Sequence, residues 1–149
     1  MKEKLLSLIA YSFWANSLIY NTLLKENITD EKIHVWASHI INAEVIWMDR
    51  IEGVAANTSV FGKRAIETLI PMLSSCNKRL EALVHSRTEE ELKNIVSYTD
   101  TEGNPYENEL SDLLFHLINH STHHRSQIAA RLRDMGISPP PSDYIYFKR

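Results

Sequence analysis

Apolar residues recur along the chain at three- and four-residue steps, the period of amphipathic helices. Over 3–25, Leu5, Leu6, Leu8, Ile9, Phe13, Ile19, Tyr20, Leu23 and Leu24 share one broad face, while Lys2, Lys4, Asn21 and Lys25 lie mostly opposite. This predicts a long first helix. A second is expected to be capped by Thr29 or Asp30 and to carry Ile33, Trp36, Ile40, Ala43, Glu44, Trp47 and Ile51, with Gly53 as its stop. Residues 54–62 read as a loop. A third helix is expected from near Lys63 to about His85, with Ile66, Leu69, Ile70, Leu73, Leu80 and Val84 inward. Pro71 falls inside it, so the pattern allows either a kink or a later start.

Beyond this point the period changes. Thr88 followed by Glu91 is a capping-box pair and predicts a short helical turn. Residues 94–106 alternate β-formers and run into Glu102-Gly103-Asn104, which is hairpin chemistry. A last helix is expected from about Glu107 to Met135, ended by Gly136 and the prolines after it. The tail 137–149 reads as an extended aromatic segment lying on the surface. The fold expected is all-α: a four-helix bundle with a short β-ribbon before its last helix, as one domain over 1–149.

Composition narrows the function classes. Four glycines and five prolines are too few for the turns of an all-β fold. Sixteen Lys+Arg against nineteen Asp+Glu, a net charge of −3, speaks against nucleic-acid binding, as does the lack of a concentrated basic stripe. No segment approaches the roughly 20 apolar residues of a membrane span. The N-terminal apolar run is interrupted by Ser7, Ser12 and Asn16 and continues as a helix, unlike a signal peptide. The single cysteine, Cys76, excludes an intrachain disulfide and reads as a small buried apolar residue. A cytoplasmic location is expected.

The chemistry concentrates in the histidines. Of seven, His116, His120, His123 and His124 fall within nine residues of the last helix. His120 and His124 are one turn apart and project into the edge of its apolar stripe, whereas His116 and His123 point further round, towards solvent or a neighbouring subunit. Two imidazoles facing a core need partners, and a divalent metal is an economical one. His39, on the second helix, is the best candidate for a third ligand. His34 and His85 sit near element ends. A His39/His120/His124 triad would leave coordination positions open, as catalytic sites do. Two other readings stand beside this one: hydrogen-bonded core histidines, and a pH-sensitive packing network.

The run His116-Leu-Ile-Asn-His120-Ser-Thr-His123-His124-Arg125-Ser126-Gln127-Ile128 resembles the signature of the DinB/YfiT-like family of metal-dependent bundle proteins. Ser38 to Trp47 resembles its second motif and Tyr11 to Asn16 its N-terminal one, so the likeness covers essentially the whole chain. It implies a four-helix bundle with metal ligands at His39, His120 and His124, zinc or nickel among the metals, and a homodimer. Ser126 departs from the glycine that many members carry there. Some relatives are thiol-dependent S-transferases or isomerases. The resemblance therefore implies conjugation of a low-molecular-weight thiol to an electrophile, in stress or detoxification. A metal-assisted hydrolase and a non-enzymatic metal- or ligand-binding stress protein are the alternatives. Glu44 is expected either near the site or in an ion pair at the bundle edge, with the ion pair preferred. Trp14, Trp36 and Trp47 read as core packing, residues 87–93 as a solvated helix start, and Arg125, Arg131 and Arg133 as a surface or dimer-edge face.

Overall fold

Capping residues set some helix ends, and neighbouring elements set others. A computed structural model, which describes residues 1–55 and 57–149, gives α1 (Lys2–Lys25), α2 (Glu31–Glu52), α3 (Ile66–His85), β1 (Ile95–Thr99), β2 (Pro105–Glu109), α4 (Leu110–Asp134) and a short α5 (Tyr144–Phe147). Asp30, not Thr29, caps α2: its side chain accepts the Ile33 N–H at 3.1 Å, and Arg131 forks onto its other oxygen. Gly53 and Gly136 close α2 and α4 in the left-handed conformation, at φ of 69° and 76°. That conformation disfavours any residue with a Cβ. The loop expected at 54–62 is a loop, save that Ala56 lies outside the described residues.

The four long helices form a bundle in which α1 and α2 each pack between α3 and α4. The main chain is mostly helical, with one two-stranded antiparallel sheet, so the all-α reading holds. No helix among the described residues is long and apolar enough to cross a membrane. Thr88 and Glu91 make the expected reciprocal capping bonds ahead of a single 3₁₀ turn, Glu91–Lys93. The charged run at 87–93 therefore opens a turn and not a full helix. The ribbon pairs Ile95 with Glu109 through Thr99 with Pro105. Trp47 of α2 meets Tyr98 edge-on and ties the ribbon to the bundle.

Two boundaries differ from those expected. Helix α4 starts three residues late, because the ladder continues to Glu109 and the Tyr98 hydroxyl and Ser97 side chain hold Asn108 and Glu107 in strand geometry. Helix α3 starts at Ile66 because α2 holds the preceding segment extended. Ser38 Oγ accepts the Arg64 N–H at 2.9 Å, and Asn42 donates to the Gly62 carbonyl at 2.8 Å. Pro71 lies in the second turn of α3, where it removes one i→i−4 bond, to the Glu67 carbonyl, and the helix continues through it.

The core has two apolar clusters. One gathers Ile19, Tyr20, Leu23, Ile33, Ile40, Leu69, Leu73, Ile128 and Leu132; the other gathers Leu5, Ile9, Met48, Leu80, Val84, Leu92, Leu114 and Leu117. Buried polar residues occupy the level between them: Ser12, Asn16, Glu44, Ser121 and Arg125. Two expectations fail here. Arg125 is 3% exposed and bonds Asn16, Ser121, Tyr11 and Thr122, so it is no surface residue. Glu44 is buried beside Ile9, Phe13, Leu73 and Leu117, and among the described residues it forms no ion pair and its Oε2 has no hydrogen-bond partner. Burial pushes its carboxyl up to about 8, against a smaller opposing pull from Arg125. Trp14, Trp36 and Trp47 are half-buried, at the margins of the core.

Two predictions follow from these groups. Since Glu44 titrates higher in the folded chain than when unfolded, the folded state holds the extra proton between about pH 4.5 and about pH 8. The stability it contributes is complete below that window and is lost as pH rises through it. Glu44→Gln should therefore unfold at a higher temperature than the wild type near pH 8, with the gap closing towards pH 5. Parallel melting curves across that range would refute this. Asp30→Ala removes a helix cap, and thermal denaturation should show a loss of about 1 kcal/mol, or roughly 3 °C in Tm.

Candidate metal centre

Helices α2 and α4 bring three imidazoles to one point. His39, His120 and His124 each present a ring nitrogen, and these atoms all lie within 4.8 Å of one another. His120 Nε2 stands 3.1 Å from His39 Nε2 and 3.1 Å from His124 Nε2. His120 and His124 meet because they are one turn apart on α4. His39 reaches them because α2 packs alongside. His39 is 8% exposed, while the other two are half-buried.

The outer nitrogens of two rings are spoken for. His39 Nδ1 lies 2.9 Å from the Val60 carbonyl and His124 Nδ1 lies 2.7 Å from Gln127 Oε1. Both partners are oxygens that accept, so each Nδ1 carries the proton and each Nε2 is left with a lone pair. Neutral His120 has one proton to give, and its Nε2 faces two such acceptors. At most one of the two 3.1 Å contacts can therefore be a hydrogen bond. Extra protonation is a poor remedy: burial, reinforced by His124 and His39, pushes His120 down to about 3. Burial likewise lowers His124, against a partial counter-effect from Gln127.

A divalent cation would resolve this conflict. Two nitrogens at about 2.0–2.1 Å from one tetrahedral ion would stand about 3.3 Å apart, close to the observed contacts. Carbonyl and amide oxygens on the far nitrogens are also the usual supports of metal-bound histidine. The donor set thus fits a divalent metal, although the geometry does not select among metals that favour imidazole.

The other sequence candidates stand outside this group. The His116 ring meets Trp47 edge-on at 5.0 Å, and this partial cover on an otherwise exposed residue lowers its pKa. His123 is exposed. His34 bonds the Ile28 carbonyl, and His85 is exposed. Ser126 is exposed and its hydroxyl donates back to the His123 carbonyl, so the helix accommodates it without repacking. Burial pushes the Cys76 thiol up to about 12, which leaves it unreactive near neutral pH.

Three contributors were not singled out from the sequence. Gln127 sits three residues after His124, a spacing that puts both on one helix face. The Val60 carbonyl and the Phe61 ring come from the loop. Phe61 stacks on His39 at 4.8 Å while 65% exposed, giving the site an apolar rim.

Two comparisons relate the chain to known proteins. The sequence matches the DinB family over residues 1–149. It is also similar to Protein DinB of Bacillus subtilis (strain 168), at 24% identity over 163 residues covering 97% of this chain and 93% of that protein. With the family match spanning every residue, the chain belongs to the DinB family.

Proposed function

We propose that this protein is a metal-dependent enzyme in which His39, His120 and His124 hold a divalent ion, and that it conjugates a low-molecular-weight thiol to an electrophile. The observation that carries the metal assignment is the convergence of three Nε2 atoms at a point where one proton cannot serve them all. A divalent ion bound there would lower the pKa of a thiol or water, so that a nucleophile is available at neutral pH.

The chain's own residues supply position and shape. The Val60 carbonyl and Gln127 Oε1 orient two of the rings by accepting their Nδ1 protons. Phe61 offers an apolar surface beside the ligand nitrogens, suited to the hydrophobic part of an electrophile. Cys76 is buried and its thiol held protonated, so a sulfur nucleophile has to arrive with a substrate.

Metal analysis of protein purified without a His-tag or chelator should find about one ion per chain. His39→Ala, His120→Ala and His124→Ala should each lose it. A metal-free wild type, even after incubation with zinc and nickel, would remove the basis of this reading. Loaded protein should then consume a low-molecular-weight thiol in the presence of an aromatic electrophile. Ester hydrolysis without thiol consumption would favour a metal-assisted hydrolase instead. Gln127→Ala should keep the fold by circular dichroism but weaken metal affinity by about 10–100-fold in competition with a chromogenic chelator.

A further inference from the structure

Ser126 follows His124 by two residues, about 200° round the helix, so the two edges of α4 face different surroundings. The edge away from the imidazoles overlooks a groove of about 400 Å³ between α4, α1 and the C-terminal tail. Its floor includes Tyr11 and Arg125, its α4 wall carries Ser126 and Arg133, and Pro139 to Asp143 form the opposite wall. The tail is fixed there: the Tyr11 hydroxyl donates to the Ser142 carbonyl at 2.9 Å, and Tyr11 meets Tyr144 edge-on.

The charge balance of this groove is incomplete. The Arg125 guanidinium donates to Asn16 Oδ1, Ser121 Oγ, Tyr11 OH and Thr122 Oγ1, at 2.8 to 3.2 Å, and all four acceptors are neutral. No ion pair forms between Arg125 and a carboxylate among the described residues. Arginine nevertheless remains a cation at any ordinary pH. A buried cation without an anion is a strongly unfavourable arrangement that a bound oxyanion would relieve. Arg133 adds a second guanidinium on the exposed wall, and Asp143, at the rim, is the one carboxylate that lines the groove. The volume suits a small ligand rather than a lone ion.

We infer that this groove binds a small molecule through a carboxylate or phosphate group, with Arg133 engaging the anion directly and Arg125 supplying the buried positive field beneath it. Guanidinium groups match both oxyanions in shape and charge. The site is separate from the imidazole centre and does not depend on its metal.

Calorimetric titration of the whole protein with inorganic phosphate, and separately with succinate, tests this. Saturable binding of at least one is expected. Phosphate alone would indicate a phosphorylated ligand, and succinate a carboxylate. Binding should persist in His120→Ala, weaken roughly tenfold in Arg133→Gln, and vanish in Ser126→Asp, which places a negative charge in the groove. Ser126 and Arg133 are exposed, so neither change threatens the fold. The inference is overturned if neither anion binds saturably, if Arg133→Gln and Ser126→Asp bind as the wild type does, or if binding disappears with His120→Ala.

Discussion

A guanidinium buried between α1 and α4 constrains everything else at mid-height in this bundle. Arg125 reaches across to Asn16 and Tyr11, and its bonds to Ser121 and Thr122 return to its own helix. Removing these partners would strand a charge in a medium that solvates it badly. The two helices therefore have one favourable axial register, the one in which α1 presents Asn16 and Tyr11 to Arg125. Apolar contacts alone would penalise a slip of one turn far less, because one Leu or Ile can replace another. Polar groups in a core are directional, and here they separate two apolar clusters that could otherwise slide.

That register also sets the level of the imidazoles. His120 and His124 immediately precede Ser121 and Arg125 in sequence, so fixing α4 against α1 fixes the height at which both rings leave the other edge of the helix. On α2, Ser38 and Asn42 flank His39 and perform a second task. They grip the backbone at Arg64 and Gly62, which holds the loop close enough for the Val60 carbonyl to meet His39. The same three-residue neighbourhood thus delays the start of α3 and orients a ring of the site. A boundary shift of three residues and the orientation of a candidate ligand share one cause.

The parts legible in the sequence were those set by local spacing. The i, i+4 pair on α4, the stop at Gly53, the Thr88/Glu91 box and the hairpin chemistry at Glu102–Asn104 depend on residues within a turn or two. Gln127 belonged to this class as well, three residues beyond His124. Arg125 was misread for a different reason. Its angle on the helical wheel matches Leu117, Ser121, Ile128 and Leu132, the inward stripe, but its charge outweighed its angle. Only the partners on α1, more than a hundred residues away in the chain, make burial of that charge tolerable. Glu44 failed similarly: its place on the inward face of α2 was visible, while an ion pair was assumed where burial instead keeps the carboxyl protonated. The Val60 and Phe61 contributions had no local signal, since they come from a loop positioned by α2.

The triad's place relative to the core bears on what a bound metal would do. His39, His120 and His124 belong to neither apolar cluster, and both clusters form without them. Structural metal sites typically substitute for a core that the chain is too small to build. Here helix packing already supplies two apolar clusters, and the imidazoles stand at an edge with an exposed aromatic beside them. An ion in that position would add little to a bundle already held together by its interior, yet it would sit where a substrate can reach it. The same geometry puts the second, cationic groove on the opposite edge of α4. The helix whose inner face fixes the register therefore presents chemistry to solvent on both of its flanks, and a bound ion would relieve the crowding of three ring nitrogens without disturbing the core that holds them in place.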